Sequence, residues 1–463
     1  MSANKRSRKN NPALSIVGAD LRVGPRCHVV HRGRGRHAGL PLRWIMPDYF
    51  CASDYLYRQS KGLAMKVATS FFLILFLVSS AFAWQDGPRL CSLDAERLRQ
   101  ARSRLTDVAL RPAMEALRRE ADKALKAGPF SVTQKERAAP GGDKHDYLSF
   151  APYWWPDPKS KDGLPYIRRD GETNPDSKRG TDAPVIVEMA GAVETLAIAY
   201  YFTGEEHYAE RAALLIRVWF LDPATKMNPN FRYAQAIPGH NDGRGAGLIE
   251  SRHFIKAVDA AGLLGGSRAW TDKDAQALTA WFREFVNWMQ TSPNGKDEAQ
   301  AKNNHGSWYA AQLTCYALFI DDKELARRTA EAARDRIAWQ VEPDGKQPNE
   351  LQRTRALGYS AFNLVALMTL AEAGRQAGVD LYSYQTKDGR GIRRALDYLA
   401  PYADAAREWP HQQINEMGSA RRDLAYLLRR ASVAFREPKY EELLEKHLAN
   451  EVAQQRWRLL WPR

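Results

Sequence analysis

Residues 186–219 read IVEMAGAVETLAIAYYFTGEEHYAERAALLIRVW. Ile186, Met189, Val193, Leu196 and Tyr200 recur at helical spacing and form one apolar stripe. Thr203-Gly204 supplies a stop, and Tyr208, Ala212, Leu215 and Trp219 form the next stripe. The segment is therefore a helical hairpin. Working outward, a helix is expected over residues 308–320, a break at Asp321-Asp322, and a further helix through Ala326 and Ala333. Another is expected over residues 360–373, ending at Gly374. Thr271, followed three residues later by Asp274, caps the stripe of Trp281, Phe285 and Trp288. Period-two runs of β-branched residues are scarce, so the chain is expected to be all-α. Repeated helix pairs stack as an open solenoid or close into an (α/α) toroid, and periodicity alone does not separate the two.

Two stretches, residues 149–182 and 221–250, are rich in Gly, Pro, Asn, Asp and aromatics and lack helical spacing. Loops of this length inside a compact domain are usually functional.

The 463 residues carry 44% hydrophobic and 26% charged side chains, the balance of an ordinary globular protein, with 13 Trp and 19 Tyr to stack on sugars or fill a core. The net charge of +14 is unevenly placed. Residues 1–64 hold twelve basic and three acidic side chains, a net of +9. Met65-Lys66, an apolar run over 67–78, and small residues at Ala81 and Ala83 then make a signal-peptide layout with removal after Ala83. The apolar run is short for a membrane span. Translation is accordingly expected to begin at Met65, with residues 1–64 a non-native or disordered basic extension. Residues 65–83 are expected to be the signal peptide and 84–463 one toroid domain, periplasmic or secreted, without stable membrane association. Taking away the thirteen basic and three acidic residues up to Lys66 leaves 55 basic and 51 acidic, a net of +4. The strongest basic cluster is thus absent from the mature chain, which argues against nucleic-acid binding. Cys91 and Cys315 remain; their separation permits one disulfide but matches no zinc site. No phosphate-binding glycine loop or metal-ligand cluster is present, so neither metal nor cofactor is expected.

Three polar segments carry the candidate chemistry. Lys302-Asn303-Asn304-His305-Gly306-Ser307-Trp308-Tyr309 places two amides and an imidazole at a helix start. Taken alone, an Asn-His pair there is a helix cap beside a buried imidazole. Residues 349–360, NELQRTRALGYS, place Arg353 and Tyr359 six apart, on different faces of a regular helix. Gly358 is expected to turn the chain between them so that they converge on one ligand. In Tyr153-Trp154-Trp155-Pro156-Asp157-Pro158 the prolines exclude helix and present three aromatic faces, for a sugar ring or as a hydrophobic plug.

Together these segments resemble the alginate lyase family of helical polysaccharide lyases, over most of residues 140–380. Members carry Asn-Asn-His-Gly-Ser/Thr-Trp-Tyr followed by an Arg and a Tyr. The resemblance implies an incomplete (α/α) toroid with a cleft across its mouth, and β-elimination on an acidic, 4-linked uronate polymer such as alginate or polymannuronate. The six-residue interval from Arg353 to Tyr359 looks most like lyases that act on glucuronan as well. It further implies that Asn304 and Arg353 bind the sugar carboxylate and that Tyr359 protonates the leaving oxygen. Either the Tyr359 phenolate, in syn elimination, or His305, in anti elimination, is then the base. A hydrogen bond from His305 is expected to lower the pKa of Tyr359. Tyr153, Trp154, Trp155, Asn303 and Trp308 are read as substrate contacts. So are Arg232, Arg244 and His253, in or beside the second long loop with His240 and Arg252, and His411, beyond Trp409.

Two other readings stay open at this point. A glycoside hydrolase needs paired carboxylic acids, and Asp157, Asp242 and Glu350 form no obvious pair in the sequence. A periplasmic binding or assembly protein would keep the groove without turnover.

Overall fold

The computed structural model describes residues 88–414, 417–452 and 454–463. The expected extension at 1–64 and signal peptide at 65–83 lie outside them.

Helices dominate. In chain order they include α1 (Ala95–Ser103), α2 (Arg111–Ala124), α3 (Asp182–Thr203), α4 (Glu206–Ile216), α5 (Phe254–Leu263), α6 (Asp272–Thr291) and α7 (Pro293–Gln300). They continue with α8 (Asn304–Phe319), α9 (Lys323–Gln340), α10 (Ala356–Gln376), α11 (Ile392–Leu399), α12 (Met417–Ala434) and α13 (Pro438–Val452). An inner row runs α3, α5, α8, α10, α12, each packed on the next. An outer row of α2, α4, α9 and α13 packs on the inner helices or closes the ends. This is the (α/α) toroid rather than a solenoid of independent pairs.

Burial explains which helix goes where. Thirteen of the sixteen α8 residues are buried, and α3 and α10 are also buried on almost every side. Their long apolar runs have the length and composition of membrane spans, yet 72% and 78% of the α3 and α10 windows lie inside the protein. By contrast α9 is buried only along Leu325, Ala326, Ala330, Ala333, Arg336, Ile337 and Gln340, and its other faces carry Arg and Glu ladders. Such amphipathic helices belong outside.

The local stops follow the sequence in part. Gly204, at φ +74°, closes α3, and Thr271 with Asp274 forms a reciprocal capping box for α6. The helix expected to end at Gly374 instead runs on to Gln376, with Gly374 buried inside it, and the left-handed residue is Gly378. Likewise the helix expected from residue 308 starts four residues earlier, at Asn304.

The two long loops are less irregular than expected. They contribute four short strands: β1 (Leu148–Phe150), β2 (Trp154–Trp155), β3 (Ile167–Arg168) and β4 (Tyr233–Ala236). β1 pairs parallel with β4, which joins the two loops, and β2 pairs antiparallel with β3, with Trp154 opposite Arg168. Asp182, wholly buried at the start of α3, accepts from the Leu148 backbone N–H at 2.8 Å and pairs with Lys135 at 3.3 Å, so β1 is moored to the inner row. Cys91 and Cys315 are both buried and are not joined by a disulfide.

Phe254 is the hub of an aromatic cluster, with ring centroids of Phe220, Phe231, Trp281 and Phe285 at 5.0, 5.7, 5.7 and 6.1 Å. Its truncation to alanine removes a whole buried ring from a packed interior and is expected to cost about 3–5 kcal/mol in denaturant unfolding. A loss below about 1 kcal/mol would mean that the cluster collapses freely around the gap.

Candidate active site

The Asn303-Asn304-His305-Gly306 turn is built by ordinary helix capping. Asn303 is extended, and its side-chain oxygen accepts from the His305 backbone N–H at 3.2 Å, so α8 starts at Asn304. The elbow from α7 is tight. Arg336 donates to the carbonyls of Ala301 and Ala299 at 2.7 and 3.0 Å, and a Cβ on Gly306 would run into both the Ala301 carbonyl and the Arg336 guanidinium.

Two buried carboxylates then fix the functional side chains. Glu350, in the single turn Pro348–Leu351, accepts from the Asn304 backbone N–H at 2.6 Å and from its side-chain amide at 2.7 Å. Both residues are 1% exposed. Burial pushes the Glu350 carboxyl up, opposed by the hydrogen bonds from Asn304 and by the charge of Arg353. Glu298, on α7 and 2% exposed, lies 2.7 Å from His305 Nδ1. The carboxylate is the acceptor, so Nδ1 carries the hydrogen and Nε2 is assigned as the open, basic nitrogen.

Arg353 and Tyr359 do converge, although the turn between them is not at Gly358. Gly358 lies within the first turn of α10; the chain bends earlier, at residues 352–355, where the Arg353 N–H donates to the Glu350 carbonyl at 3.1 Å. Arg353 Nη2 donates to the Tyr359 hydroxyl at 2.8 Å, and its guanidinium carbon stands 3.8 Å from the ring centroid. The Tyr359 hydroxyl donates in turn to that of Tyr153 at 2.7 Å. Burial, then the neighbouring Tyr153, push the Tyr359 phenol far above its usual range, and the Arg353 charge only partly offsets them. The expected lowering by His305 is therefore corrected: the phenol's partners are Arg353 and Tyr153, and His305 is turned toward Glu298.

These residues share one cleft of about 880 Å³, together with Tyr153, Trp154, Asn303, Arg244 and His253. Arg244 donates to Gln235 Oε1 at 2.7 Å, and Gln235 donates to Glu250, which also accepts from Tyr147 and Ser149 at 2.9 and 2.6 Å. Gln235 holds φ at +50°, a strained backbone for a non-glycine residue. Burial depresses the pKa of His253 well below 6.5, reinforced by the charges of Arg252 and Lys256.

Four of the expected substrate contacts lie elsewhere. Trp308 is 7% exposed and packs on Phe362, so it is core. Arg232 is exposed and lies over the Tyr233 ring, outside the cleft. Trp155 donates to the Glu172 carbonyl and is covered by Arg169. His411 bonds the Tyr398 hydroxyl at 2.9 Å beside Trp409. For Trp308, Trp155 and His411 the side chain is captured by a partner well separated in the chain; Arg232 settles on its own neighbour, Tyr233. Asp157 and Asp242, weighed for a hydrolase, do not line the cleft, and Glu350 is bonded to Asn304. Among the described residues no three of His, Cys, Asp and Glu gather as a metal-ligand set.

A family model described as alginate lyase matches residues 131–409. The chain belongs to the alginate lyase family. An alginate lyase from Bacteroides ovatus, of known crystal structure, is 43% identical, with a TM-score of 0.78 over 81% of this chain and 99% of that one. Alginate lyase A1-III, solved as a variant complexed with tetrasaccharide, is 18% identical with a TM-score of 0.50, over 82% of this chain and 96% of that one. At that identity the likeness shows the toroid fold alone. No curated protein matches the chain significantly. The matched span of the alginate lyase model contains all four proposed catalytic side chains, Asn304, His305, Arg353 and Tyr359. It also contains Glu298 and Glu350, whose organising roles no single motif announces.

The His253 environment carries a pH signature. Below pH 6.5 the unfolded chain takes a proton on this imidazole that the folded chain refuses, so stability falls as pH falls, by up to about 1.4 kcal/mol per pH unit until the folded pKa is reached. His253→Gln is expected to flatten the decline of the thermal midpoint between pH 6.5 and 5; an unchanged slope would place the sensitivity in another group.

Proposed function

We propose that this polysaccharide lyase cleaves a 4-linked uronate polymer, alginate or glucuronan, with Tyr359 as acid and, on guluronate, His305 as base. The proton at C5 of a uronate sits beside a carboxylate, and removing it builds a doubly charged enolate. Asn304, whose amide is oriented by Glu350, and the positively charged surroundings of the cleft meet that charge as it develops. His305 Nε2 takes the C5 proton, the C5–H electron pair becomes the C4–C5 double bond, and the C4–O pair leaves with O4. Tyr359 gives its proton to O4, and proton exchange with solvent resets both groups.

The observation that carries this division of labour is the state of Tyr359. A phenol pushed far up by burial is protonated at neutral pH and ready to donate to O4. His305, with Nδ1 committed to Glu298, keeps a basic nitrogen. Separate acid and base suit guluronate, whose C5 proton and O4 lie on opposite faces of the ring. On mannuronate or glucuronate they lie on one face, and Tyr359 would serve both ends of the reaction. The six-residue interval from Arg353 to Tyr359 supports glucuronan as a substrate beside alginate. The signal-peptide layout at residues 65–83 supports export to the periplasm or beyond, where such polymers are met.

The test is the ultraviolet absorbance of the new double bond during incubation with polyguluronate, polymannuronate and glucuronan. Tyr359→Phe is expected to lose on the order of 10²–10⁴ in rate on every polymer that the unaltered enzyme cleaves. His305→Ala is expected to lose as much on polyguluronate and less on the other two. Absorbance that never rises, with the polymer still bound, would leave a binding protein; a rise unaffected by Tyr359→Phe would remove the proposed acid.

A further inference from the structure

Arg353 is held by a residue far from it in the sequence. β3 runs on into Asp170 and Gly171, and these two clamp the turn before α10. Arg353 Nε and Nη2 donate to the Asp170 carboxylate at 3.0 and 2.7 Å. The Thr354 hydroxyl donates to the Asp170 carbonyl at 2.9 Å, its backbone N–H to the carboxylate at 3.3 Å, and Arg355 donates to the Gly171 carbonyl. Gly171 has φ +77°, and a Cβ there would strike Thr354 Oγ1 and approach Ile414. The approach is thus close enough to require glycine. Burial works to raise the Asp170 carboxyl, but the hydrogen bonds and charge of Arg353 outweigh it and hold Asp170 ionised well below the usual carboxylate range.

A guanidinium grips a carboxylate through two parallel N–H groups, either Nε with Nη2 or Nη1 with Nη2. Asp170 fills the first edge, and Nη2 is spent again on the Tyr359 hydroxyl. Only Nη1 makes no hydrogen bond among the described residues, so a two-pronged grip on the sugar carboxylate is closed to Arg353 in this arrangement. We propose that Asp170 is a positioning residue, which turns Arg353 away from the substrate carboxylate and fixes it as the cation serving Tyr359. As the phenol gives its proton to O4, the guanidinium stacked on its ring and bonded to its oxygen meets the growing phenolate charge. Meeting the sugar carboxylate then falls to the Asn304 amide and the other arginines that line the cleft, Arg244, Arg252 and Arg355. The inference rests on the reading of Tyr359 as the acid.

The test separates acid catalysis from carboxylate binding. On polymer, Asp170→Asn is expected to lower kcat on the order of 10-fold to 100-fold, part of what a general acid supplies, with KM nearly unchanged. On a guluronide whose C5 proton goes to His305 and whose C4 carries fluoride, which departs without a proton, the same variant is expected to lose less than about threefold, against the larger loss on polyguluronate. Gly171→Ala, which displaces Asp170 by steric contact and keeps its charge, is expected to show the same split with a lowered thermal midpoint, and far-ultraviolet circular dichroism at the assay temperature checks that both variants are folded. Equal slowing on polymer and fluoride would reduce Asp170 to a structural role. A fall in KM with kcat preserved would mean that Asp170 had masked a carboxylate-binding edge of Arg353, and would overturn the proposal. Tyr359→Phe run alongside tests the underlying reading by itself: if it slows polymer and fluoride alike, the acid assignment fails whatever Asp170 does.

Discussion

The site depends on one buried connection, the pair of hydrogen bonds from Asn304 to Glu350. It ties the first residue of α8 to the turn that precedes α10, and so sets the distance between the two helix starts that carry His305 and Tyr359. An isolated carboxylate at 1% exposure is very costly, and an amide with no acceptor costs less but still destabilises. Each satisfies the other, which gives the contact a specificity that apolar packing between α8 and α10 does not supply. Apolar contacts such as Trp308 on Phe362 are non-directional, whereas the polar link fixes one geometry.

Around that link the cleft is organised by carboxylates that face protein rather than substrate. Glu298 holds His305, Glu250 holds Gln235 and through it Arg244, and Asp170 holds Arg353. This is a consistent way to prepare a site for a polyanion. The acids lie behind the donors, where they orient amides, imidazole and guanidinium while leaving those groups nearest the ligand. Low dielectric strengthens each contact, and burial keeps His253 neutral, so arginines supply most of the positive charge of the cleft.

The short strands give the two long loops their function. β1 and β4 tie them to each other, the β2–β3 hairpin carries Tyr153 and Trp154 to the cleft, and the residues just after β3 reach the turn before α10. A toroid of helices offers a rigid mouth, and segments laid across it place side chains at distances that no single helix spans.

Much of this was legible in the sequence, where its physical cause is local. Helical periodicity, the stop at Gly204 and the capping box at Thr271 depend on neighbours three or four residues away, so the helices and their pairing could be read directly. Asn303, Asn304 and His305 also follow from a local cap, and the resemblance of several segments gave Arg353 and Tyr359 their roles. What depended on distant partners was not legible. Trp308 is an aromatic at a promising place until Phe362 buries it, and His411 a candidate contact until it meets Tyr398. Glu298 lies only seven residues before His305, but the break between α7 and α8 sets their approach, and Asp170 is 183 residues from Arg353. The sequence by itself determined the helices, their pairing and the polar motif at the start of α8, because these arise from short-range spacing; the choice of toroid over solenoid came from the resemblance and the closed packing, not from periodicity. Only the tertiary structure decided which carboxylate holds which donor, because that choice is made by burial and by chain segments that meet only when the fold is closed.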